Sequence, residues 1–190
     1  MSKSLLVQVT ALSGLAAVLF GTVSWSDSDR TTAFGQPEIQ WLTWEEVTRR
    51  MEAAPRKIFV DIYTDWCGWC KVMDRNTFRE PLIADYLNTH FYCVKFNAEM
   101  QDPIELHGRT YKFVPRGKRG YHELAAELTN GNLSYPTVAF LDERMQVIQP
   151  IPGYKEPEVF ERIMTYFATD SYKKTPWGVY EKEYVPLKDR

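Results

Sequence analysis

Residues 61–73 read DIYTDWCGWCKVM, and Cys67 and Cys70 within them stand three apart. Two cysteines at that spacing can do one of three things. They can supply half of a metal site, but structural zinc takes four ligands, usually as two pairs. The other candidates are Cys93, His90, His107 and His122, and they contain no second pair at ligand spacing. They can form a purely structural disulfide, but the loop would be very short, and the stabilisation from a cross-link falls with loop length. They can be a redox pair. Cys67 would then stand just before a helix and Cys70 in its first turn. The unpaired N–H groups and partial positive charge of a helix N-terminus favour a thiolate at Cys67. Lowering a thiol pKa from about 8.5 to about 7 raises the thiolate fraction at neutral pH roughly 16-fold. It also makes that sulfur a better leaving group when a second thiol attacks. The redox reading explains the most about the segment.

The flanking elements must hold this pair in place. Ahead of it, KIFVDIY (57–63) is a short β-branched and aromatic run, a buried strand. Before that strand, Thr43 followed by Glu46 forms a capping box that opens a helix to about Ala53, and Pro55 ends it. After the cysteines a helix starts near Gly68, and Pro81 separates it from a second helical stretch at 82–89. FYCVKFN (91–97) is a strand. Residues 98–120 read as irregular, with a possible strand at 110–114 and turn chemistry in PRGKRG. A short helix in YHELAAELTNG closes on Asn130 and Gly131. TVAFLDE (137–143) and residues 146–151 are strands, and Val159, Phe160, Ile163, Met164 and Phe167 keep a helical period over 156–169. Strands alternating with helices imply an α/β sandwich, and the consecutive strands near the end imply an antiparallel hairpin in the same sheet.

VDIYTDWCGWCK (60–71) resembles the active-site segment of thioredoxins, and the likeness covers roughly residues 39–169. Trp66 before the first cysteine and Lys71 after the second fit that family. Asp61 matches its buried acid, Lys95 the lysine near that acid, Pro136 in YPT the cis-proline, and Gly153 a glycine near the same surface. The resemblance implies a thioredoxin fold, a central mixed β-sheet with helices on both faces, here with an insertion at 98–120 before the cis-proline segment. It implies that Cys67 attacks a substrate disulfide and that Cys70, the more buried thiol, resolves the mixed disulfide. Asp61 would accept the Cys70 proton through water, supported by Lys95. Burial alone would raise the acid's pKa and Lys95 would lower it. Pro136 in cis would set the Tyr135 backbone beside the cysteines for an extended substrate. Trp66, Gly68, Trp69, Tyr135 and Gly153 would border the substrate. No organic cofactor or metal is implied, since the redox-active Cys67–Cys70 disulfide carries the electrons.

The chain departs from ordinary thioredoxins in three respects. Gly68-Trp69 replaces Gly-Pro between the cysteines, Tyr135 is bulky, and the interval from Cys70 to Pro136 is long. Such features are similar to those of exported bacterial relatives, including periplasmic reductase domains. They imply a reductant of protein disulfides fed by a membrane disulfide reductase. An oxidase or isomerase of the same fold, and a non-catalytic binding or chaperone module, are the rival readings.

The start of the chain agrees with export. Lys3 is followed by an uncharged run, Ser4 to Ser26, with an apolar heart and small residues at its end. This is the pattern of a signal peptide. An uncleaved anchor is the alternative, and only then is a membrane a partner. The expected divisions are a signal peptide or anchor at 1–26, a linker at 27–38, the thioredoxin-like domain at 39–169 and an extension at 170–190. The expected location is the periplasm or the periplasmic face of the inner membrane. A chain of 190 residues suits one domain, and its net charge of −2 gives no general pull toward nucleic acid. Cys93 reads as a small buried hydrophobe. Arg109, Lys112, Arg116, Lys118 and Arg119 fall between Gly108 and Tyr121 with no acid among them. A solvated hairpin explains this run, and so does a docking loop for an acidic partner. Tyr172, Trp177, Tyr180 and Tyr184 give the tail apolar rings to pack on the domain surface.

Overall fold

The structure is a computed structural model that describes residues 35–190. The export or anchor segment and most of the linker lie outside the described residues. Among those described, no helix is long and apolar enough to cross a membrane.

The alternation of apolar strands and amphipathic helices builds one five-stranded mixed sheet. Its strands are β1 (Trp41–Leu42), β2 (Ile58–Tyr63), β3 (Tyr92–Asn97), β8 (Thr137–Leu141) and β9 (Val147–Pro152). The order across the sheet is β1-β3-β2-β8-β9. β3 runs parallel to β1 and β2, whereas β8 is antiparallel to both β2 and β9. The central strand β2 is buried on both faces, as its unbroken apolar run requires. Side chains alternate across a strand. Ile58, Val60 and Ile62 therefore pack on one face with α1 (Trp44–Ala53) and α4 (Glu123–Leu128). Phe59 packs on the other with α2 (Gly68–Asn76), α3 (Pro81–His90) and α5 (Pro157–Ala168). Asp61, Cys93 and Lys95 belong to this second face by the same alternation. Cys93 is buried there, and burial pushes its thiol up to about 12.

The helix ends follow the sequence signals. Thr43 and Glu46 form the reciprocal capping box of α1. Pro81 and Pro157 occupy the first turns of α3 and α5, where a missing N–H costs nothing. Asn130 and Gly131 close α4 in left-handed backbone. The two-residue β1 was not foreseen, being too short for any periodicity to register.

The insertion corrects the reading of an irregular segment. It forms two ordered hairpins, β4 (Ile104–Leu106) with β5 (Arg109–Tyr111) and β6 (Phe113–Arg116) with β7 (Arg119–His122). The strand expected at 110–114 is split at Lys112 between two pairings. His122 pins the insertion to α4. Its buried ring accepts the Leu124 N–H at Nδ1 and contacts the Asp102 carbonyl at Nε2, each at 3.2 Å. That pattern needs a neutral ring with Nε2 protonated, and burial lowers its pKa accordingly. A His whose folded pKa is depressed stabilises above the ordinary value of about 6.5 and loses this as pH falls below it. His122→Ala should therefore cost about 2 kcal/mol in urea unfolding at pH 7.5, with a smaller difference from wild type at pH 5.

The tail is part of the folded body. α6 (Trp177–Glu183) packs its rings on α5, with the Tyr166 centroid 5.2 Å from Trp177 and 4.8 Å from Tyr180. Tyr184 donates to the Glu161 carboxylate at 2.6 Å.

Candidate active site

β2 ends at Tyr63, and the chain turns through Thr64–Trp66 to Cys67 and into α2, whose first turn carries Cys70. Cys67 is the N-cap residue, and its Sγ accepts the backbone N–H of Cys70 at 3.0 Å. The two are joined as a disulfide with Cα atoms 5.3 Å apart. Both are 4% exposed, so the expectation that Cys70 would be the more buried does not hold for the disulfide form. Helix position, rather than exposure, distinguishes them. Cys67 faces the unpaired N–H groups and positive end of the helix, which stabilise a thiolate on its sulfur after reduction.

The sheet face under α2 carries the acid. Asp61 is 2% exposed and lies directly across from Lys95 in the β2–β3 register. Lys95 Nζ is 3.3 Å from Asp61 Oδ2. The same ammonium also bonds Asp74 on α2. Burial raises the Asp61 carboxyl to about 7; Lys95 opposes the shift and the Asp74 charge adds to it. Lys95 stays charged, since the two carboxylates outweigh its own partial desolvation. Among the described residues, Asp61 Oδ1 has no hydrogen-bond partner. A buried carboxyl titrating near neutrality, with one free oxygen, suits reversible proton transfer.

Aromatic rings form the rim. Trp66 is 51% exposed and Trp69 62%, against the burial usual for tryptophan. The Trp66 ring stands edge-on to Tyr135, with centroids 6.0 Å apart. This contact sets the Tyr135–Pro136 segment against the residue preceding Cys67. The Tyr135–Pro136 peptide is cis. The Pro136 carbonyl accepts the Gly153 N–H at 2.7 Å, and Gly153 has φ of 84°, a conformation that favours glycine. Tyr154, the next residue, brings its ring to 5.5 Å from Trp69. The residues singled out from the sequence therefore fall into two groups: Trp66 and Trp69, next to the cysteines in the chain, linked by contacts to the Tyr135–Pro136 and Gly153–Tyr154 segments, and Asp61 with Lys95 on the sheet face beneath α2.

A family model described as Thioredox_DsbH, protein of unknown function, DUF255, matches residues 26–148. The chain belongs to this family. Its match takes in both cysteines, Asp61, Lys95 and Pro136, and ends before Gly153. Family and disulfide together mark the chain as thioredoxin-like. Over 83 residues it is 29% identical to the thiol:disulfide interchange protein DsbD of Haemophilus ducreyi, covering 40% of this chain and 14% of that protein. Over 68 residues it is 26% identical to the uncharacterized protein B0495.5 of Caenorhabditis elegans, covering 35% and 9% respectively. The matches thus span only a small part of either relative. The solved structure titled DsbH oxidoreductase superposes with a TM-score of 0.51 at 16% identity, covering 77% of this chain and 95% of that one. A thioredoxin from Thermus thermophilus gives 0.50 at 16% identity, covering 77% and 98%. At such identities these likenesses speak for the fold, which is that of thioredoxin.

Members of the site that sequence reasoning missed are Asp74 and Glu99, and Arg119 was read only as part of a basic run, not as a neighbour of Trp66. Asp74 follows Cys70 by four residues on α2, so its place on the same helix face was available from the spacing. Glu99 accepts the Trp66 indole N–H at 3.0 Å, and the Arg119 guanidinium lies 4.5 Å from the Trp66 ring centroid. No local pattern links either residue to Trp66.

Proposed function

We propose that this chain is an exported reductant of protein disulfides. One observation carries the reading: Cys67 Sγ occupies the N-cap of α2, where it takes the Cys70 N–H, and Trp66 just before it packs on Tyr135 of the cis-proline segment. In the dithiol state the Cys67 thiolate attacks one sulfur of a partner disulfide. A mixed disulfide forms, and the partner's other sulfur leaves as thiolate. The partner's backbone pairs with that of Tyr135 during this step. Cys70 gives its proton through water to Asp61 and attacks the Cys67 sulfur. The second partner thiolate departs, and the Cys67–Cys70 disulfide remains. Two electrons have passed to the partner. They are restored by a membrane disulfide reductase, a role supported by the likeness to part of an interchange protein. The uncharged run after Lys3 supports export to the periplasm, as a cleaved or membrane-anchored form. No metal or organic cofactor takes part in these steps.

The midpoint potential decides the direction. The domain from residue 27 onward, equilibrated in glutathione buffers and read by thiol alkylation, should lie near about −270 mV, the range of reducing thioredoxins. A value near about −120 mV would make the protein a disulfide donor instead. Failure of Cys67 and Cys70 to cycle would leave the fold as a binding module.

A further inference from the structure

We propose that the β6–β7 hairpin is a recognition wall of the exchange site, selecting partner polypeptides whose cysteine is flanked by acidic residues. The inference rests on the oxidoreductase reading and adds the class of partner to it.

The hairpin pairs Arg116 directly with Arg119. Residues opposed in an antiparallel pair project from one face, where like charges repel. Lys118 sits between them in the turn, and all three are exposed. Of the five cations in this stretch, only Arg109 has an ion pair among the described residues, with Glu127. Arg116, Lys118 and Arg119 have none, so their mutual repulsion is not offset within the fold. Other contacts hold the hairpin firmly. At Gly120 a Cβ would run into the Phe113 ring and the Val114 carbonyl, so the strands close tightly there. Lys112 and Glu123 bond in both directions at its base, at 2.8 and 2.9 Å.

This rigid cationic tip reaches the chemistry. Arg119 lies over Trp66, which is exposed and adjoins Cys67 in the chain. The carboxylates nearest Trp66 make no ion pair with these cations among the described residues: Glu99 accepts the Trp66 indole N–H, and Asp65 accepts an amide N–H of Asn97 at 3.1 Å. A partner lying along Trp66 toward the cis-proline segment thus meets unpaired positive charge on the hairpin side. A carboxylate next to its cysteine would relieve the Arg116–Arg119 repulsion and gain charge-assisted hydrogen bonds. The attack itself is unaltered: the Cys67 thiolate bonds to the partner sulfur, and the partner's other sulfur leaves with the electron pair.

The test uses the dithiol protein and two disulfide-linked peptides, identical except for glutamates or lysines flanking the cysteine. Second-order rate constants are taken for the wild type and for Arg116→Glu/Lys118→Glu/Arg119→Glu. The glutamate-to-lysine rate ratio in the wild type, divided by that in the variant, cancels each peptide's own reactivity. It should exceed about 10 at low ionic strength. The wild-type ratio alone should fall toward the salt-insensitive limit in about 0.5 M salt, which screens exposed charges; this readout holds even if the variant folds poorly. A double ratio near one with a salt-independent wild-type ratio overturns the inference. Hydroxyethyl disulfide, which is neutral, separates the two levels. If the wild type reduces it while the peptides are not discriminated, only the hairpin proposal falls. If the wild type reduces neither it nor the peptides, the oxidoreductase reading falls as well and takes this proposal with it.

Discussion

Cys70→Ala should turn the protein into a trap: it will attack a partner disulfide once and then hold on. Resolution of the mixed disulfide is intramolecular, and well-placed intramolecular groups act at effective concentrations of about 10⁵ M or more. Without Cys70, release depends on thiols from solution, and turnover should fall by at least about a thousandfold. The adduct should be visible on non-reducing gels, dissolve with dithiothreitol, and map by mass spectrometry to Cys67. Cys67→Ala should give no such adduct. The asymmetry rests on the helix, since both cysteines are equally buried in the disulfide. Cys67 alone stands at the N-cap, where its sulfur takes the Cys70 N–H. Comparable adducts from both variants would mean that the helix terminus does not choose the nucleophile.

That asymmetry was legible in the sequence, because it depends on local spacing. A strand-like run, two cysteines three apart and a helical period after them place Cys67 at a helix start without any tertiary information. Asp61 and Lys95 were legible only through the thioredoxin resemblance. Their meeting depends on the register of β2 against β3, which no local pattern encodes. The insertion shows the reverse problem. Its Gly and Pro punctuation predicts turns correctly, but strands of three and four residues are too short for alternation to stand out. What it contributes to the site, Arg119 over Trp66, joins residues more than fifty apart in the chain. Cysteine burial was misjudged for a physical reason. With the sulfurs bonded to each other the two residues share one environment, and each is 4% exposed whatever their order of attack.

Asp61→Asn should make the protein more stable and a worse catalyst, both as functions of pH. The folded carboxyl titrates near 7, against an ordinary value of 3.8. Between those values the folded state holds a proton that the unfolded chain has released. Stability is thus fully present below about pH 4 and is lost as pH rises through the folded pKa. At about 1.4 kcal/mol per pH unit, the loss is on the order of 4 kcal/mol. The amide keeps the shape of the neutral acid and cannot ionise. In denaturant unfolding of the disulfide form, the variant should match wild type near pH 4 and exceed it by roughly 2 to 4 kcal/mol at pH 8. Lys95 is what makes this substitution tolerable, because its ammonium keeps Asp74 and is not left buried without a partner. The catalytic effect has the opposite sign. With no acceptor for the Cys70 proton, resolution of the mixed disulfide should slow by about 100-fold at pH 7. The deficit should shrink toward pH 9, where the thiol ionises without help. Parallel stability profiles for variant and wild type across pH 4 to 8 would show that the Asp61 proton is not held in the folded state, and the acceptor role would fall with it.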